Sequence, residues 1–263
     1  MSHLLAQRAL VRMLFDPKFT AAMRQAPDQM LPEVDPALRQ QLAALDERAL
    51  RQDKLRRRRT LRTLSEEFKG ATTLALAETG RLAFLEEFFC SAAFHQSVEE
   101  RGSMPLAFAA WLGEQRWQRP ETPAVLAIET ALARARREKK LPALDKGWVA
   151  AAPGVVGISV TRGAMAALQV CERYLFEVGL MPAVALCEDA PPLELPPWDP
   201  TPLELVTVPL DSGVTLVEID AQLGQLLRCL PGPRPRVERE AAARGVPAAR
   251  LDELLGDEIA LII

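Results

Sequence analysis

The chain has 263 residues, 49% of them hydrophobic and 25% charged, with a formal net charge of −3. That is enough apolar material for one large domain or two small ones, and a near-neutral balance is not that of a strongly basic nucleic-acid binder. No apolar run approaches the roughly 20 residues that cross a bilayer, and residues 1–8 lack the layout of a signal peptide. A cytoplasmic location is expected.

Residues 4–68 read as helices. Leu4, Leu5, Leu10 and Leu14 give an amphipathic start, Asp16-Pro17 marks a restart, and Leu38, Leu42 and Leu45 lie on one face. The run Lys54-Leu-Arg-Arg-Arg-Arg59 falls in a helix whose buried side carries Leu61, Leu64 and Phe68. Flanked by Glu47, Asp53, Glu66 and Glu67, it reads first as a solvated face with local ion pairs. Taken instead as a contact surface, Arg56, Arg57 and Arg59 suit an acidic peptide or a partner protein. Residues 74–140 continue as helices with wide Phe and Trp stripes, a pattern of helix–helix packing; one stripe, Val125, Ile128, Leu132 and Ala135, ends in Arg136-Arg-Glu-Lys-Lys140.

Between Gly147 and Gly163 the pattern changes. Val155-Val-Gly-Ile-Ser-Val160 reads as a strand, a helix follows over about 164–178, and 182–187 is expected to be a second short strand. Residues 191–202 hold six prolines in twelve positions, an extended connector. The last sixty residues carry the clearest order. Leu203-Glu-Leu-Val-Thr-Val208 and Val214-Thr-Leu-Val-Glu-Ile219 form a hairpin through Asp211-Ser-Gly213. Asp220 caps a helix bearing Leu223, Leu226, Leu227 and Leu230, and Pro231-Gly-Pro-Arg-Pro235 breaks it. A second helix ends at Gly245, a third opens on Pro247, and residues 258–263 are an apolar end. The fold class is α+β: a helical domain over 1–145, then a mixed domain over 146–263 with a winged-helix-like unit at about 203–263. Its wing is expected to be missing after Ile263 or completed by the hairpin.

Such a unit reads either DNA or a peptide. Ala241, Gly245 and Leu251 fit helix-turn-helix spacing, which keeps a transcription regulator as the alternative. A DNA reader needs cations and amides on its exposed helix face, but Ala248, Ala249, Asp252 and Glu253 stand there beside a single Arg250. A peptide reader needs a strand edge and an apolar groove. Leu203, Leu205 and Thr207 are expected to supply the edge, and Arg250, Leu251 and Leu254 the groove.

Catalytic chemistry is scarce: two histidines, one tyrosine, and no H-E-x-x-H, G-x-S-x-G, P-loop or G-x-G-x-x-G. Cys90, Cys171, Cys187 and Cys229 form no C-x-x-C pair and are expected to be small buried residues; Cys171 or Cys187 with His95 is the one conceivable nucleophile–base couple. No catalytic, cofactor-binding or metal-ligating residue is assigned, and a binding protein is expected.

Two stretches together, Leu85-Glu-Glu-Phe-Phe89 with Ala93-Phe94-His95 and Leu106-Ala-Phe-Ala-Ala-Trp-Leu112, then Pro123-Ala-Val-Leu-Ala-Ile-Glu129-Thr-Ala-Leu-Ala133, resemble the helical domain of the partner proteins of multinuclear non-haem iron oxidative enzymes. The group includes the methanobactin partner proteins, and some members carry a winged-helix-like recognition element for ribosomally made, post-translationally modified peptides. The resemblance covers roughly 80–135 and, more loosely, 200–263. It implies a non-catalytic subunit, without a cofactor of its own, that binds a precursor's leader peptide and docks on an iron-dependent oxidative enzyme as a heterodimer.

Overall fold

The computed structural model describes residues 2–51, 54–138, 140, 143–179, 181–187, 189–211, 213–257 and 259–262. Of the residues named above, Asp53, Lys139, Ser212, Glu258 and Ile263 lie outside them. The fold is α+β, with two small antiparallel three-stranded sheets.

The N-terminal layer runs α1 (Ser2–Phe15), α2 (Pro17–Gln25), α3 (Pro27–Met30), α4 (Pro36–Ala43) and α5 (Glu47–Arg51). Asp16 lies outside helical geometry and accepts the Phe19 N–H at 2.9 Å, so the Asp-Pro restart is a capped one. Ala9, Met13, Phe19, Met23, Leu42 and Leu50 make its small core.

The main body follows with α6 (Lys54–Glu67), α7 (Lys69–Thr79), α8 (Ala83–Glu86), a 3₁₀ turn at Glu87–Cys90, α9 (Ala92–Glu99), α10 (Met104–Gly113) and α11 (Glu121–Ala135). Phe88 is fully buried and meets Phe89, Phe94, Phe108 and Trp111 at ring separations of 5.1–5.7 Å. Strand β1 (Trp148–Ala151), β2 (Gly157–Thr161) and the long α12 (Arg162–Val178) come next. Residues 182–187 are not a strand: Pro182–Leu186 is a 3₁₀ turn, since Pro182 pre-sets φ for the start of a turn. The proline connector is pinned to α12, where the Gly163 N–H donates to the Asp199 carbonyl at 2.9 Å. A Cβ at Gly163 would lie 2.7 Å from the Trp198 ring, so the crossing requires glycine.

The remainder is β3 (Pro202–Leu210), β4 (Gly213–Ile219), α13 (Ala221–Leu227), β5 (Gly232–Pro233), α14 (Arg234–Ala243), α15 (Ala248–Gly256) and β6 (Ala260–Ile262). Asp220 caps α13 through the Leu223 N–H, as its sequence position implies. One sheet has the order β2-β3-β4, the other β5-β1-β6.

The first sheet is a wall between two cores. Val160, Leu203 and Leu205 belong to the core built on α7, α11 and α12, whereas Val206 belongs to the core of α13–α15 and the second sheet. The helical core therefore continues through α12 and one face of the hairpin, beyond the 145/146 boundary drawn from composition. Thr207, fully buried, locks the wall to the turn before β2: its hydroxyl accepts the Val156 N–H and donates to the Gly154 carbonyl, each at 2.7 Å. Thr207→Val keeps the volume but leaves the Val156 N–H without its acceptor, a loss of about 1–3 kcal/mol. Urea unfolding of the two chains measures that difference directly.

Candidate functional site

Strand β3 is the centre of its sheet, paired antiparallel to β2 on one side and β4 on the other. The open edge expected at 203–208 is thus occupied on both sides. Leu203, Leu205 and Thr207 are buried, facing the helical body. Leu251 and Leu254 are 1% exposed and fill the core of the C-terminal helices instead of lining a groove. Arg250 is held by Asp220 and Glu253, so the one cation of that helix face is neutralised locally. A period-two apolar pattern marks alternate faces of a strand, but it does not say whether either face is open.

On α6, Arg56 and Arg59 are exposed, while Arg57 is half-buried and reaches the Phe15 carbonyl at 3.5 Å. Cys171 and Cys229 are buried as expected, but Cys187 is exposed and Cys90 half-buried. Burial beside Glu129 and Glu172 pushes the Cys171 thiol up to about 12, which keeps it protonated and unreactive at neutral pH. Among the described residues no group of three or more His, Cys, Asp or Glu side chains is placed to hold a metal ion.

The unpaired strand edges lie outside β3. The Thr207 N–H donates to the Val156 carbonyl at 3.0 Å, and the Arg162 N–H to the Thr201 carbonyl at 2.9 Å. Ladder bonds alternate along an antiparallel pair, so Ile158 and Val160 also bond to β3. Gly157 and Ser159 direct their N–H and C=O groups the other way, and no strand pairs with them there among the described residues. This edge runs beside a groove. One cavity of about 380 Å³ lies between α10, α11 and β2, lined by Ala109, Gly113, Leu126, Ala127, Ala131 and Ile158 among others. A second, of about 260 Å³, continues past the 150–157 turn to Leu227, Leu230 and Pro231. Arg134, Val156 and Gly157 line both.

Known proteins give no comparison. No family model, curated protein or solved structure matches the chain.

The groove wall is fixed from behind. Glu129, on the inner side of α11, is buried and accepts the N–H groups of Gly70 at 2.8 Å and Ala71 at 2.9 Å, in the first turn of α7. The helix dipole and these two donors favour the carboxylate, but desolvation is larger and raises its pKa to about 7. The sequence offered a signal for the groove that went unread: small residues at 109, 113, 127 and 131, beside a strand containing Gly157.

Because the folded pKa of Glu129 lies above its ordinary 4.5, this group's contribution to stability is complete below pH 4.5 and is lost as pH rises through 7. Between pH 5 and 8 the native chain should lose up to about 3 kcal/mol relative to Glu129→Gln, which cannot titrate. Chemical unfolding of both proteins across that range checks the difference in slope.

Proposed function

We propose that this chain is a cytoplasmic, non-catalytic partner protein that captures the leader segment of a precursor peptide and docks on an iron-dependent oxidative enzyme, which carries out the modification. The observation that carries the reading is the free β2 edge beside its groove. An extended peptide laid there gains main-chain hydrogen bonds from Gly157 and Ser159 and side-chain pockets on either side, the strand-addition mode of peptide recognition.

Supporting it, the hairpin and α13–α15 follow one another in the order of a winged-helix-like unit, the arrangement of a peptide recognition element. The groove is the place for the peptide, since the side chains first considered for it, Leu203, Leu205, Thr207, Leu251 and Leu254, lie in cores. The exposed Arg56 and Arg59 on α6 provide a basic face for the enzyme. Nothing on α15 favours DNA, because its exposed side carries Asp252 and Glu253 and its arginine is already paired.

The test uses the full chain, the precursor peptide encoded beside it and the neighbouring iron enzyme, measured by titration calorimetry and pull-down. The native chain should bind both. Ser159→Pro removes an outward donor and leaves the bonds to β3 intact, as proline is tolerated at an edge. It should weaken peptide binding at least tenfold and leave enzyme binding unchanged. Undiminished peptide binding by this variant, or failure of the native chain to bind either partner, overturns the reading.

A further inference from the structure

Resting on that reading, we infer that the groove selects an internal acidic residue of the bound peptide, two positions along the strand from a bulky apolar residue. Arg134 supplies the acid-reading group. Three arginines sit within four positions at the end of α11, but they are not equivalent. Arg137 holds Glu67 through its two terminal guanidinium nitrogens at 2.6 and 2.7 Å, and Arg136 stands 3.6 Å from the same carboxylate. Arg134 is exposed, and its guanidinium makes no hydrogen bond or ion pair among the described residues. Its guanidinium is therefore an uncompensated cation, and it lines both cavities at their junction. Glu138 and Lys140, which line the second cavity with it, are of opposite sign, so Arg134 sets the net charge of the groove.

Its position in mid-groove decides the kind of carboxylate. A chain terminus would be read at a closed end, but the groove continues past Arg134 in both directions. A side chain within the segment meets it instead, and a carboxylate is the group that a guanidinium binds with paired, parallel hydrogen bonds.

The neighbouring cavity decides the second feature. Ala109, Gly113, Ala127 and Ala131 leave about 380 Å³ of space, flanked by the apolar Leu126 and Ile158. Such a pocket takes a leucine-sized or aromatic side chain. On α11 the lining runs from Pro123 to Arg134, about 16 Å at 1.5 Å per residue, the span of roughly five strand residues. From the middle of that lining to Arg134 is roughly 8 Å along the helix, nearest among same-face spacings to the repeat of two strand residues, about 6.7 Å. The expected motif is an apolar residue and Asp or Glu at i and i+2, in the order set by the direction in which the strand adds.

A displayed library of randomised heptapeptides, flanked by Ser-Gly spacers so that no terminal carboxylate is near, is selected on the immobilised full chain, on Arg134→Ala, on Arg134→Glu and on Ser159→Pro. The native chain should enrich the apolar–x–acid pattern at least tenfold, in one of its two orders. Arg134→Ala should keep the apolar preference and lose the acidic one, and Arg134→Glu should replace the acid by Lys or Arg. Enrichment by the native chain without an acidic position, or an acidic preference that survives in Arg134→Ala, overturns the inference and leaves strand addition standing. Selection by Ser159→Pro equal to that of the native chain, or no enrichment by the native chain, overturns the groove itself and the inference with it. A second block, Ala127→Asp, places a charge on the floor of the apolar cavity at an exposed position and should abolish selection without affecting folding.

Discussion

The arrangement depends on one buried carboxylate. Glu129 carries α11 onto the first turn of α7, where two backbone N–H groups have no partner within their own helix. The approach is close enough that a Cβ at Gly70 would sit 2.7 Å from Val125 and 2.9 Å from Leu168, so glycine there is a condition of the contact. Burying an ionised group without partners costs several kcal/mol. Two charge-assisted hydrogen bonds and the positive end of α7 offset much of this, and the raised pKa marks the remainder. In return, α7, α11 and α12 meet as one rigid unit, and the outward face of α11 becomes a fixed wall rather than a loosely packed helix.

That wall stands beside a sheet whose central strand is covered on both faces. Residues 203 and 205 on β3 point into the helical core and 206 into the core of the C-terminal helices, so the backbone edges of β2 and β4 are where another chain could pair. Both prolines of β3 suit this arrangement. Pro202 and Pro209 fall where the register demands no ladder donor, beyond the ends of β4 and β2 respectively. The two outer edges differ in what accompanies them. Beside β4, Val217 and Leu210 are partly exposed, with no groove among the cavities described; beside β2 lies the channel along α11. An edge alone pairs indiscriminately, whereas an edge with pockets discriminates.

Local features were legible in the sequence because local physics produces them. The Asp211–Gly213 turn and its flanking strands, the Asp220 cap, the capped restart at Asp16 and the body of α12 each need only neighbouring residues. The short strands β1, β5 and β6 were not legible. Two to four residues long, they exist because Val149 pairs with Gly232 and Ile262, positions more than eighty residues away in the chain. The same limit hid the burial of residues expected to contact a peptide. Leu203, Leu205, Leu251 and Leu254 have the spacing of a groove lining, and only the cores packed against them, the helical one for the first pair and that of the C-terminal helices for the second, show that they are interior. Sequence alone does not set Arg134 apart from the basic run that follows it; Glu67, some seventy positions earlier, does so by pairing with Arg136 and Arg137.

A site built on a strand edge divides its work in a definite way. Main-chain hydrogen bonds supply affinity for any extended segment, and each side-chain pocket adds only the difference between one residue and another. Few pockets then suffice, and the residues that form them need not be chemically conspicuous: small side chains make space, and one arginine without an internal partner supplies charge. The specificity of such a surface lies in what surrounding residues leave unpaired, so in the proposed recognition the pairing of Arg136 and Arg137 with Glu67 matters as much as leaving the Arg134 guanidinium free.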